Sequence, residues 1–103
     1  MTNATLALVS CPPGQAEEIA RSVIQNKLGA CVTTIAKATS FYTWQNNFHK
    51  EEESLLLIKT KKDNWNALEK LILDLHTYDV PEIISLPIAT GYSPYLIWLK
   101  NNC

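Results

Sequence analysis

Glycine is nearly absent from this chain. Three glycines and five prolines are spread over 103 residues, with no repeat, low-complexity stretch or linker between them. No compositional break marks a second domain, and the length suits a single core over residues 1–103. An excess of positive charge is missing too. Nine Lys and Arg stand against ten Asp and Glu, for a net charge of −1. That excludes nucleic acid as a main partner, because phosphate binding needs a basic excess or stripe. The short cluster Lys59, Lys61 and Lys62 reads as solvated lysines at a junction between elements. No apolar run approaches the ~20 residues that span a bilayer, and no charged-then-apolar leader opens the chain. The three cysteines, Cys11, Cys31 and Cys103, form no C-x-x-C pair. An odd, scattered set fits a reduced cytoplasmic protein better than a disulfide scaffold. Histidine occurs twice, as His49 and His76, and neither is spaced for a Ser-His-Asp or Cys-His arrangement. Without a G-x-G-x-x-G or P-loop motif either, the expectation is a protein that is not an enzyme.

What remains is a well-patterned globular sequence. It is 47% hydrophobic and 18% charged, too apolar for a disordered chain. Thr5-Leu6-Ala7-Leu8-Val9 predicts a buried strand, ended by the turn Cys11-Pro12-Pro13-Gly14. Over residues 15–28 the apolar positions Ala16, Ile19, Ala20, Val23, Ile24 and Leu28 share one helical face. Gly29 is expected to stop that helix in the left-handed conformation. The period then changes. Residues 31–44 are rich in Val, Thr, Ile, Phe, Tyr and Trp, with no Gly or Pro, which is strand composition. Gln45-Asn46-Asn47 supplies a tight turn. The return strand passes the acidic run Glu51-Glu52-Glu53, read as solvated, and ends in Leu55-Leu56-Leu57-Ile58, where four apolar residues call for cover on both faces. Thr60 with Asp63 fits a capping box ahead of a second helix bearing Trp65, Leu68, Ile72 and Leu75. Ile83-Ile84-Ser85-Leu86 is the last strand, with Pro87 marking an edge or terminus. Ser93-Pro94 opens a short C-terminal helix as N-cap and first helical residue.

The predicted order is β-α-β-β-α-β plus a short helix. This is an α+β class, the ferredoxin-like antiparallel sheet with both long helices on one face. Its central hairpin, residues 32–60, has arms of about 13 residues that reach roughly 40 Å. A domain of this size is only ~30 Å across, so helices of some 14 residues leave the tip uncovered. That tip carries Phe41, Tyr42, Trp44 and Phe48. An isolated hairpin is marginal in water and an open edge invites aggregation, so neighbouring subunits are expected to cover the arms. The alternative is a bulged strand that folds its aromatics back onto the parent domain.

Several motifs, taken in order, resemble one family. They are Leu28-Gly29-Ala30-Cys31-Val32-Thr33, Ser40-Phe41-Tyr42-Thr43-Trp44, Glu51-Glu52-Glu53 with Lys59-Thr60, and His76-Thr77-Tyr78-Asp79-Val80-Pro81-Glu82-Ile83. Leu86-Pro87, Gly91 and Tyr95-Leu96-Ile97-Trp98-Leu99 complete the set. Together they resemble the CutA divalent-cation tolerance proteins over nearly the whole chain. The resemblance implies a homotrimer, a likeness to trimeric nitrogen-regulatory signal transducers, and an association with copper and other divalent cations. It aligns Cys11 and His76 with proposed copper ligands, a donor pair suited to copper or zinc. Cys31 and Glu82 are further possible donors, while Leu75 stands where some members have a second His. Two protein donors imply a weak or open site. The resemblance also gathers Trp44, Lys59, Tyr78, Glu82 and Tyr95 in inter-subunit clefts, where a small molecule would bind. Against these stand plainer readings: packed cysteines, a helix-terminal histidine, and aromatics that form interface core. Family members often carry Gly where this chain has Asn46, and His-Pro-Tyr where it has His76-Thr77-Tyr78. The functional alternatives are metal tolerance, a signal-transducer-like sensor of a small ligand, and a stable trimeric scaffold without ligand.

Overall fold

Alternation along the first strand sets the core. In the computed structural model, which describes residues 2–103, β1 spans Ala4–Cys11. Ala7, Val9 and Cys11 point to one side and are fully buried. On the same side lie Leu56 and Ile58 of β3 (Asn47–Lys61), each directly opposite a β1 residue in the pairs Val9–Leu56 and Ala7–Ile58. Two helices close this side. The first, α1 (Ala16–Gln25), follows a single 3₁₀ turn at Pro13–Gln15 and buries Ala16, Ile19 and Val23. The second, α2 (Trp65–Leu75), buries Leu68 and Ile72. β2 (Cys31–Trp44) pairs with β3, and β4 (Ile83–Pro87) with β1, giving the order β2-β3-β1-β4 with every pairing antiparallel. The helix α3 (Ser93–Asn101) packs on β3 and β1 and buries Leu99. This is the expected α+β ferredoxin-like arrangement, and Pro87 lies on an edge strand as expected. No helix among the described residues is long and apolar enough to cross a membrane.

The hairpin dominates the shape. The molecule measures 45 × 25 × 23 Å. Helices of 10 and 11 residues are only about 16 Å long and cannot span the long axis. Gln45 and Asn46 form the tip as a two-residue turn with φ of 51° and 67°, the type I′ geometry that matches strand twist. Asn46 suits that region better than Gln45 does. Near the base, Ile35 faces Leu55 while Ala38 faces Glu53, so β2 carries one extra residue and Lys37 sits at φ 61°. This is a β-bulge, and the strand continues through it. The tip aromatics divide by face. Phe41 and Phe48 stay exposed, whereas Tyr42 and Trp44 face the loop of residues 78–80 of the same chain and are only partly covered by it.

The second face of the sheet has no helix layer of its own along most of its length. Leu6, Leu8, Leu55 and Leu57 are half-buried, and Ile35, Ile84 and Leu86 are exposed. The run Leu55-Leu56-Leu57-Ile58 is thus fully covered on one side only within a single chain.

Four local expectations need correction. The first helix ends at Gln25, and Lys27, not Gly29, takes the left-handed position with φ 57°. Leu28 N–H bonds Val23 O at 3.0 Å and Lys27 N–H bonds Ile24 O at 3.1 Å, a Schellman ending. Gly29 is needed for space, because a Cβ there would lie 2.8 Å from Val23 Cγ1 and 2.9 Å from Ile58 Cγ2. Thr60 caps nothing. It belongs to β3, and its hydroxyl donates to Leu28 O at 2.7 Å. Tyr92, not Ser93, precedes α3 as N-cap residue, and Pro94 is the second helical residue. Finally, Glu53 is only 4% exposed, unlike the solvated Glu51 and Glu52.

Candidate functional site

The chemistry-bearing residues converge where β1 ends and the loop of residues 76–82 leaves α2. His76 closes α2, its N–H bonding Ile72 O at 2.8 Å. Its ring Nε2 lies 2.7 Å from Ser10 O, and Nδ1 is 3.2 Å from the Tyr78 N–H. A carbonyl only accepts, so the proton belongs on Nε2 and Nδ1 accepts from Tyr78. Both ring nitrogens are therefore engaged. The Ser10 hydroxyl donates to Glu82 Oε1 at 3.1 Å. Thr77 ties the loop to α1. Its hydroxyl donates to Gln15 Oε1 at 3.2 Å, and Gln15 Nε2 donates to Leu75 O at the same distance.

Cys11 and His76 are thus neighbours at the end of β1, as the metal reading requires, but their donor atoms are not free. Cys11 is a fully buried core residue, and burial, then the Glu53 charge, push its thiol pKa up. A metal needs the thiolate and an open imidazole nitrogen. Among the described residues no group of three or more His, Cys, Asp or Glu is clustered for a metal ion. As arranged, the pair does not make a preformed metal centre. Cys31 opens β2 opposite Lys59, whereas Cys11 lies opposite Ser54, so the two thiols are about 16 Å apart along the strands.

The five expected cleft residues separate into groups. Trp44 and Tyr78 share one cavity of about 170 Å³, lined also by Tyr42, Asp79 and Val80. The Tyr78 hydroxyl donates to Glu53 Oε2 at 2.8 Å, and its ring lies 4.8 Å from that of His76. Burial, reinforced by the Glu53 bond and charge, raises the Tyr78 pKa well above the usual phenol range. Glu82 is exposed beside Ser10. Lys59 and Tyr95 lie elsewhere. Lys59 donates to the Thr33 hydroxyl, and Tyr95 stacks on Trp98 with ring centroids 5.7 Å apart. Asn47, the partner of Trp44, precedes Lys59 by twelve positions on β3, about 40 Å. One chain cannot unite the two groups.

Tyr42, Glu53, Asp79 and Ser10 belong to this end of the molecule and were not singled out as site residues from the sequence. The pairing Trp44–Asn47 places Tyr42 opposite His49 and, two steps on, Ser40 opposite Glu51. Counting back from the turn by twos therefore finds Tyr42 on the Trp44 face. Counting forward from Cys31 fails, because the bulge changes the alternation.

A four-stranded antiparallel sheet under two helices, drawn out into a long twisted hairpin, defines the ferredoxin-like α+β class. A family model described as CutA1 divalent ion tolerance protein matches residues 5–102. The chain belongs to that family. It is 43% identical over 96 residues to a Protein CutA homolog of Xenopus laevis, covering 92% of this chain and 64% of that protein. Mouse and human CutA proteins are spanned to only 54% of their length. The solved divalent cation tolerance protein of Thermus thermophilus superposes with a TM-score of 0.93 at 38% identity, covering 96% of this chain and 97% of that one. A structure titled PII-like protein CutA, from Nostoc, superposes at 0.90 and 27% identity, with 95% of each chain covered.

Proposed function

We propose that the chain works as a closed homotrimer in divalent-cation tolerance, the role its relatives' names assign to them. The observation that carries the trimer is the open apolar face of the sheet, with Leu6, Leu8, Leu55, Leu57, Ile84 and Leu86 continuous over β1, β3 and β4. Contiguous apolar surface of this kind marks an interaction site. The 14-residue edge strand β2 adds an unpaired ladder that a neighbouring copy would cover. Light scattering at micromolar concentration is expected to return about three times the 11.6 kDa chain mass. A monomer would overturn the proposal. Three free cysteines support a reducing, cytoplasmic setting.

In this reading copper or another divalent cation binds weakly, through Cys11 and His76 with Glu82 as an added donor, Cys31 lying too far along the strands to join them. Binding is weak because it competes with the hydrogen bonds at His76 and the burial of Cys11. Copper titration by calorimetry tests this. Wild-type-like binding by Cys11→Ala and His76→Ala would remove both residues from the site. A second reading, a small-ligand sensor acting on a protein partner, is favoured by the aromatic cavity at Trp44 and Tyr78. Thermal stabilisation by a metabolite but not by a metal would select the sensor. Both readings give the chain a binding role, not a catalytic one.

A further inference from the structure

The cavity at the hairpin tip has a definite chemical character. Its lining is three electron-rich aromatic residues, Tyr42, Trp44 and Tyr78, with Asp79 and Val80 completing it. No Lys or Arg lines it. The strand register puts Glu51 and Glu53 on the Tyr42 face, since Tyr42 faces His49 and the next same-face pairs are Ser40–Glu51 and Ala38–Glu53. The nearest hairpin lysine, Lys50, lies on the opposite face, over the Phe41 ring at 5.9 Å. The basic group on the cavity's own face near the tip is His49, which stacks on Tyr42 at 5.1 Å and lies 3.9 Å from Glu51; Lys59 shares the face but lies about 30 Å further along β3. Burial first, and then the nearby Glu51 and Glu53 charges, make both Tyr42 and Tyr78 harder to ionise. The local field is therefore negative.

The walls are also held in place. Tyr78 is fixed through its hydroxyl on Glu53, through its N–H on His76, and by ring contact with His76. Glu53 makes no ion pair among the described residues. At about 170 Å³ the cavity is well below the ~300–1,000 Å³ of sites that take nucleotides or drug-sized molecules. It fits a headgroup. Aromatic faces beside a carboxylate favour a cation whose charge is spread over carbon, because such an ion loses little hydration and gains from the ring quadrupoles. A small divalent cation demands several oxygen donors, which the three rings do not offer.

We propose that the Tyr42–Trp44–Tyr78 cavity binds a small organic ammonium ion, with the three rings as cage and Asp79 as counter-charge. The proposal rests on the small-ligand reading above and names its ligand class. The test uses the intact assembly, with tetramethylammonium as probe, tert-butanol as neutral counterpart of similar shape and acetate as anion. All are titrated at constant ionic strength while the Trp indole and the Asp79 and Val80 amide resonances are followed by NMR, with calorimetry in parallel. Tetramethylammonium is expected to move the Trp44, Asp79 and Val80 signals saturably and leave Trp65 and Trp98 in place. Trp44→Leu should weaken binding about tenfold. Asp79→Asn, an exposed change that leaves the cage intact, should weaken it about two- to fivefold. Stronger binding of tert-butanol or acetate than of tetramethylammonium would overturn the cation assignment and leave the ligand cleft standing. Silence from all three probes would overturn both. Trp44→Phe, which keeps a ring at the position, should retain most of the binding; loss equal to that of Trp44→Leu would refute a cage.

Discussion

Replacing Leu86 by Asp tests the assembly at one side chain. Leu86 lies on the edge strand β4, opposite Leu6 on the open face, and is 47% exposed in the single chain. Fully burying a leucine is worth ~1.5–3 kcal/mol, so covering the exposed half contributes about 1 kcal/mol per subunit. Asp removes that gain and places a carboxylate where a neighbouring apolar surface should sit. An uncompensated ion at an interface costs several kcal/mol. With one copy in each of three subunits, the loss is on the order of 10 kcal/mol per trimer. At 1.4 kcal/mol per factor of ten, association falls by about seven orders of magnitude. Leu86→Asp should therefore be a folded monomer by light scattering and sedimentation, with sheet and helix retained by circular dichroism. Leu73→Asp is the control, since Leu73 is 51% exposed but lies on α2, in the helix layer. It should leave the mass unchanged. If Leu86→Asp keeps the wild-type mass, or both variants dissociate alike, the open face is not the contact surface.

Gly29→Ala should destabilise by about 1–3 kcal/mol, because Val23 and Ile58 are fully buried and cannot step aside. The midpoint of urea unfolding at fixed chain concentration measures it. Lys27→Gly should raise the unfolding free energy by about 1 kcal/mol, seen as a higher midpoint in the same assay, by removing a side chain from a left-handed position. The Tyr78 pKa is raised in the folded chain above its ordinary 10.0. Its stabilising contribution is thus complete below that pH and is lost as pH rises through the folded value. Melting followed through the alkaline range should fall more steeply for wild type than for Tyr78→Phe. Thiol alkylation should modify Cys31 and Cys103, which are half-buried, well before Cys11, whose thiol is buried and kept protonated.

Much of this fold was legible because each element carries its own period. The apolar stripe on α1, the β-branched run of β2 and the edge proline at β4 each follow from one local rule. Element ends were harder. Thr60 and Asp63 have the spacing of a capping box, but β3 extends through Thr60, whose hydroxyl is used across the fold on Leu28 O. Gly29 looks like a helix stop in one dimension, yet its constraint comes from Ile58, 29 positions away. The site was legible as residue types and not as a constellation. His76 and Tyr78 stand out in the sequence. Their partners Ser10 and Glu53 do not, because a serine in a strand and the last glutamate of an acidic run look solvated until the chain closes around them.

The extra residue at Lys37 gives the hairpin two phases. Below it, odd-numbered residues of β2 (Cys31, Thr33, Ile35) share a face with Lys59, Leu57 and Leu55; above it, even-numbered ones (Ala38, Ser40, Tyr42, Trp44) share that face with Glu53, Glu51, His49 and Asn47. The base and the tip are therefore out of step in sequence yet aligned in space. Shortening the chain by Lys37 alone would heal the ladder without turning a single tip aromatic over, whereas healing it by sliding the tip would carry Phe41 into the place of Tyr42. An insertion or deletion here is thus a change of gearing between two halves of one strand, and it gives evolution a way to retune the tip while the base keeps its grip on the core.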